Sequence, residues 1–279
     1  MAIITISRGT MSGGSELAMC LAGSLGYPSL AREVLVEAAA KLGVSEETLR
    51  GKILKEVGFW ERFSDDRRLY VIALQSALAE QCLSGDLVYH GHAGHLLLKG
   101  LPNVLRVRLI APMEVRIQRV MQRDNLSHEA ALNFINTQDK IRVQWCRYVY
   151  DVDWGDPLIY DMVLNLEHIT PPVACGMIAA AVKLPEMVTT DQVRRKLANF
   201  ALSCRVKLAL AVNHSTRNIV FRVRAEDGRV EVFSEEASGG VLVRPSGPSR
   251  EDIAQMVRAV DGVKEASISL HRFPECPEF

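Results

Sequence analysis

An apolar run, AIITI (2–6), enters a glycine turn, SRGTMSGGSELA (7–18), and leaves it as the helix-like stretch ELAMCLAGSLG (16–26). A strand that passes through a tight turn into a helix is the first half of a unit that builds helix-covered parallel sheets. The turn also exposes backbone N–H groups at a helix N-terminus, where a partial positive charge favours phosphate. Against the pattern G-x-x-x-x-G-K-[ST], Gly9 and Gly14 occupy both glycine positions. Ser15 stands where the lysine belongs, and Glu16 where a Mg²⁺-ligating hydroxyl belongs. The lysine normally sets a cation on the β/γ-phosphates, where charge accumulates during phosphoryl transfer. Serine can hydrogen-bond there but cannot neutralise charge, and Arg8, just before the loop, is the cation placed to substitute in part.

The alternation continues through the first two thirds of the chain. SLAREVLVEAAAKLG and RLYVIALQSALAEQCL have helical periodicity, whereas DLVYHG and VLRVRLI are short β-rich runs of buried-strand length. PMEVRIQRVMQRD starts a helix with proline near its first turn. Ser127 is the expected N-cap of SHEAALNFINTQDKIRVQWCRYVY. YDMVLNL supplies a last strand and PPVACGMIAAAVKL a last helix. The reading is an α/β, three-layer domain with a parallel sheet over residues 1–184.

The tail follows a different pattern. TTDQVRRKLANFAL reads as a capped helix and RVKLALAV as a strand. NIVFRVRAEDGRVEVF reads as a hairpin turning at Asp227-Gly228, followed after a Gly/Pro/Ser-rich stretch by the helix REDIAQMVRAV and a strand in DGVKEASISL. This is a second, small α+β domain over residues 190–272, with KLPEMVTTD as the boundary.

Composition removes several classes of function. The 33 basic and 33 acidic side chains cancel, so nothing points to nucleic acid or a polybasic membrane anchor. The opening apolar run is too short for a signal peptide, and no segment approaches the ~20 apolar residues of a membrane span. Six cysteines (20, 82, 146, 175, 204, 276) form no C-x-x-C and fit reduced, buried thiols in a cytoplasmic protein.

Three clusters carry possible chemistry. Arg116, Arg119 and Arg123 fall at i, i+3, i+7 on one helix face, and Lys140, Arg142 and Arg147 follow in the next helix. Such a group can hold several phosphate oxygens, or it can be a solvated face paired with Glu114 and Asp124. HGHAGH brings His90, His92 and His95 together after a strand, without an acidic or thiol partner to complete a metal site. DVDWGDP gathers Asp151, Asp153 and Asp156, which can cap turns or hold Mg²⁺ through water.

The order of IITISRGTMSGGSELA, LGYPSLAREVLVEAA, LVYHGHAGHLL, LPNVLRVRLIAPMEVRIQRVM and DWGDPLIYDMVLN over residues 2–180 resembles the cytidylate-kinase-like family of P-loop nucleoside monophosphate kinases. The resemblance implies transfer of the γ-phosphoryl of ATP, with Mg²⁺, to CMP, dCMP or a related nucleotide. It implies that Arg8, Gly9, Ser12, Gly13, Gly14, Ser15 and Glu16 hold the ATP phosphates, chiefly on the amides of Ser12–Ser15. It further implies that Arg32, Gly91 and His92 meet the acceptor, and that Arg119, Arg123, Lys140 and Arg142 close over the transferring phosphate. The departures from the family are Ser15 for the loop cation and Gly91-His92-Ala93 for a Gly-Arg-Asp-like acceptor turn. They leave a second reading open: a nucleotide-binding regulatory protein, catalytically weak or inactive. The tail resembles a BON domain, an αββαβ module, which implies regulation or attachment through a phospholipid or protein partner, or a homo-oligomer. With no polybasic cluster there, membrane contact is not expected.

Overall fold

The computed structural model describes residues 2–40, 65–234 and 248–269. They divide into two compact units. The first holds residues 2–34 and 84–190, and the second holds 35–40, 65–83, 191–234 and 248–269.

The first unit is built on five parallel strands in the order β2-β3-β1-β4-β5. These are β1 (Ile3–Arg8), β2 (Ser29–Leu30), β3 (Leu87–Tyr89), β4 (Val104–Ile110) and β5 (Met162–Asn165). β1 lies at the centre, with Ile3 to Thr5 in register with Leu87 to Tyr89 and Ile3 to Arg8 in register with Val104 to Leu109. Side chains alternate across a strand, so each residue type goes to one face. Ile4, Ile6, Val88, Val107 and Leu109 face helices α1 (Gly14–Leu25) and α7 (Pro171–Ala181), packing with Leu17, Leu21, Ala174 and Ile178. Thr5, Ser7 and Arg108 take the opposite face. There Trp154 Nε1 donates to Ser7 Oγ at 2.8 Å, and Tyr160 Oη donates to the Trp154 carbonyl at 3.1 Å. Chain direction across the sheet reverses on either side of β1, which puts the C-terminal end of β1 at the position where open α/β sheets bind ligands.

Two further helices stand beside that end. α5 (Met113–Asp124) and α6 (His128–Tyr150) pack through Ile117, Val120, Ala131 and Ile135. Ser127 caps α6 by accepting from Ala130 N at 3.3 Å. Helix α2 (Arg32–Ala40) follows β2, and the single-turn helix α4 (Gly94–Leu97) follows β3.

The second unit contains α3 (Asp65–Gln81), α8 (Asp191–Val212), β6 (Phe221–Glu226), β7 (Arg229–Ser234), α9 (Arg250–Arg258) and β8 (Glu265–Ser269). β6 and β7 pair antiparallel, and β8 joins β7 in parallel. The hairpin turn falls at Asp227 and Gly228, both with positive φ (49° and 93°), as a tight two-residue hairpin requires. From residue 191 the element order is α–β–β–α–β. One expectation fails: residues 205–212 are not a strand but the last turns of α8. This helix is buried on two sides. Leu202, Val206 and Leu210 pack on the sheet, while Ala201 and Cys204 pack on Ala79 of α3. Two apolar stripes on one helix merge into an alternating pattern, which imitates a strand. Most of the Gly/Pro/Ser-rich stretch before α9, and the last turn of SLAREVLVEAAAKLG, lie outside the described residues.

Candidate phosphate-binding site

The turn 9–13 caps the C-terminal end of β1. Ser12 N donates to Gly9 O at 3.2 Å, closing the turn on itself, so the Ser12 amide is already used. Gly13, at φ 86°, is the N-cap of α1, a left-handed conformation that suits glycine. Leu17 N is the first amide to close onto the helix, on Gly13 O at 3.2 Å. The amides of Gly13, Gly14, Ser15 and Glu16 therefore lie in the cap and first turn, where no acceptor exists within the helix. Ser15 and Glu16 are exposed. Ser12 is only 1% exposed, and its Oγ has no partner among the described residues.

Arg8 reaches back over this turn. A Cβ built on Gly14 would lie 2.0 Å from Arg8 Cδ, so only glycine leaves room for the side chain. The guanidinium donates to the His90 carbonyl, which ties the loop to the histidine turn. Burial and the Arg142 charge lower its pKa, against opposing contributions from Glu33 and Tyr89.

The arginine face on α5 divides: Arg116 and Arg119 turn to the loop, whereas Arg123 is exposed and paired with Asp124. Arg116 is buried, lies against Gly9, and donates through Nε to Thr10 O at 2.7 Å. Arg119 Nη1 donates to Met11 O at 3.0 Å. Arg123 pairs with Asp124 and contacts Met11 Sδ at 3.3 Å. From α6, Arg142 donates to Thr10 Oγ1 and to Asp139 Oδ1, the latter at 2.7 Å. Lys140 and Arg147 are exposed.

Asp139 escaped the sequence reading. Its Oδ1 accepts from Thr10 N at 2.9 Å and from Thr10 Oγ1 at 2.8 Å, and its Oδ2 pairs with Arg116. Burial alone would raise its pKa, but the Thr10 hydrogen bonds and Arg116 outweigh it and hold the carboxyl below its ordinary value. The residue sits one helical turn before Arg142, and that spacing was the only hint the sequence offered.

The turn 90–94 after β3 is shaped by Tyr89. An added Cβ on Gly91 would meet its hydroxyl at 2.1 Å and one on Gly94 its ring at 2.3 Å, so both glycines make room for a fully buried tyrosine. His92 stands edge-on to Trp145, with ring centroids 6.2 Å apart. Burial, then Arg142, Arg32 and His95, push its pKa down to about 3, so it is neutral near pH 7 and works as an uncharged group. Arg32 and Arg142 both act on it electrostatically. His95 is buried against Tyr160, at 4.7 Å between centroids. Asp153 and Asp156 accept from Gly155 N (2.7 Å) and Leu158 N (2.9 Å) as turn caps, and Asp151 is the C-cap of α6. No group of three or more potential metal ligands occurs among the described residues.

The model of the "Cytidylate kinase-like family" matches residues 3–168. A cytidylate kinase of Ignicoccus hospitalis is 31% identical over 174 residues, covering 61% of this chain and 93% of that protein. One of Sulfurisphaera tokodaii is 27% identical over 179 residues, covering 64% and 93%. Among solved structures, an uncharacterized protein from Eubacterium ventriosum superposes with a TM-score of 0.53 at 20% identity, covering 65% of this chain and 98% of that one. With the match spanning the sheet, the loop and both arginine helices, the chain belongs to the cytidylate kinase-like family.

Proposed function

We propose that the protein is an ATP-dependent kinase that phosphorylates a nucleoside monophosphate of the CMP or dCMP type. The observation that carries this reading is the convergence on one loop of free helix N-terminal amides and three arginines, within the region matched by the family. The amides of Gly13 to Glu16 would take the β- and γ-phosphates, with Gly9, Ser12 and Arg8 shaping the loop beneath them. Arg119, Arg123, Lys140 and Arg142 would stabilise charge on the transferring group, where electrostatic preorganisation matters most. Arg32, Gly91 and the neutral His92 would hold the acceptor.

Glu16 offers an exposed carboxylate beside the loop. That is the donor type Mg²⁺ accepts, so the residues fit a metal held mainly by ATP oxygens and water. When bound, Mg²⁺ would neutralise charge on the β/γ-phosphates.

The kinase relatives favour transfer over a purely regulatory role. The α–β–β–α–β order after residue 191 supports reading the tail as a BON-like attachment for a protein partner or a second copy of the chain. The nucleotide substrates and the buried thiols support a cytoplasmic setting, and no helix among the described residues is long and apolar enough to cross a membrane.

A coupled assay with ATP, Mg²⁺ and CMP, dCMP, UMP or AMP tests the reading. Turnover with CMP or dCMP above the other acceptors is expected. Absence of turnover with every acceptor, in folded protein, overturns it.

A further inference from the structure

Every polar atom of Thr10 is engaged by a side chain of α5 or α6. Its N–H and hydroxyl donate to Asp139 Oδ1 at 2.9 and 2.8 Å, its carbonyl accepts from Arg116 Nε at 2.7 Å, and its hydroxyl oxygen accepts from Arg142. Thr10 is 6% exposed, so these bonds are shielded from water. Asp139 is common to the set, because it also pairs with Arg116 and Arg142. Arg142 in turn feels the charges of Arg8, Arg32 and Arg116. Three other guanidiniums thus act on Arg142, and the carboxylate bonded to both Arg116 and Arg142 is Asp139. A buried charge-assisted hydrogen bond is stronger than a neutral one, and removing one partner leaves the others uncompensated.

We propose that Asp139 is the positioning residue of this site, locking the phosphate loop through Thr10 while aiming Arg142 between the loop and the acceptor turn. It touches no substrate. It acts by fixing groups that do, so that little reorganisation remains when phosphate arrives. The inference rests on the phosphate-loop reading above, but the lock itself can be measured without a ligand.

The test uses the full-length protein and three variants: Asp139→Asn, Thr10→Val and the double change. Asn keeps the shape of Asp139 but presents an N–H group to the guanidiniums. Amide hydrogen exchange of a peptide spanning residues 8–13 is followed without ligand, with β4 as an internal standard. Calorimetry then gives the ATP affinity. Exchange in the loop is expected to speed up at least tenfold in Asp139→Asn with β4 unchanged. ATP affinity is expected to fall about tenfold in each single variant, and the double variant should bind no more weakly than Asp139→Asn alone, because both changes open one lock. Unchanged loop exchange, or single losses that multiply in the double variant, overturns the proposal. If Asp139→Asn fails to fold, Thr10→Val decides, and unchanged loop exchange in it is equally fatal. Wild-type protein that binds no ATP would remove the kinase reading, and the exchange result would still decide the role of Asp139.

Discussion

His95 gives the sharpest test of how the histidine segment after β3 is held. The imidazole is 3% exposed, lies against the Tyr160 ring, and neither nitrogen has a partner among the described residues. Burial, reinforced by Arg106 and Arg108, pushes its pKa down to about 3, against an ordinary value of 6.5. A base with a depressed folded pKa binds fewer protons folded than unfolded across that interval. Its contribution to stability is complete above pH 6.5 and is lost as pH falls toward 3. The slope approaches about 1.4 kcal/mol per pH unit, which is ~2 kcal/mol between pH 6.5 and pH 5. His95→Leu abolishes this slope and also removes two unsatisfied nitrogens, whose burial costs about 1–3 kcal/mol, partly offset by a slightly larger side chain. The variant should therefore match or exceed wild type at pH 8, and its advantage should grow by ~2 kcal/mol at pH 5. Denaturant unfolding read by tryptophan fluorescence suits the question, because Trp154 packs with Tyr160 in the same cluster. His92, depressed in the same direction, leaves a residual acid slope in both proteins. Parallel stability curves for wild type and variant between pH 8 and pH 5 would refute the argument, since they would mean His95 does not titrate differently on folding.

Other expectations concern the loop and the tail. Ser15→Lys adds a cation at an exposed position in the first turn of α1, and calorimetry should find ATP bound about tenfold more tightly, the equivalent of a ~1.4 kcal/mol charge-assisted contact. Gly14→Ala places a methyl 2.0 Å from Arg8 Cδ. Arg8 must then leave and release the His90 carbonyl, and ATP affinity should fall about tenfold, or ~1.4 kcal/mol, with the melting temperature little changed. Deleting residues 191–279 strips α8 from α3, where Ala73, Ala77, Leu78 and Ala79 are buried. The shortened chain should aggregate on expression, as gel filtration would reveal.

The sequence made the sheet and the loop legible because both rest on local patterns. A short apolar strand, two spaced glycines and a helical run follow one another within 25 residues, and α1 starts at Gly14 as that pattern demands. The Asp227-Gly228 hairpin was equally local. What the sequence concealed depends on distance along the chain. Thr10 and Asp139 are 129 residues apart and meet only when α6 lies beside β1. Taken alone, Arg116 and Arg119 read better as a solvated face. Their true partners are the backbone carbonyls of Thr10 and Met11, which have no signature in sequence. The misread end of α8 has a related origin, since it continues a helix whose Ala201 and Cys204 meet Ala79, more than a hundred residues earlier.

The glycine loop and the histidine turn after β3 are connected through one side chain. Arg8 crosses Gly14, next to Ser15, and donates to the His90 carbonyl, so a cation beside the loop also joins it to the histidine turn. While it holds that carbonyl it cannot move onto the γ-phosphate. A ligand that draws Arg8 forward must release the turn carrying His92, and a ligand that fixes the turn must hold Arg8 back. If Arg8 serves a bound phosphate as well as the turn, phosphate binding and acceptor binding would be opposed through it, and such coupling is reciprocal. Ser15→Lys supplies charge without using Arg8, whereas Gly14→Ala evicts Arg8 without supplying charge. The pair of variants separates the two demands: Ser15→Lys should tighten ATP without altering acceptor affinity, and Gly14→Ala should weaken both. If Gly14→Ala weakens ATP while leaving acceptor affinity untouched, Arg8 serves the loop alone and the two sites are independent.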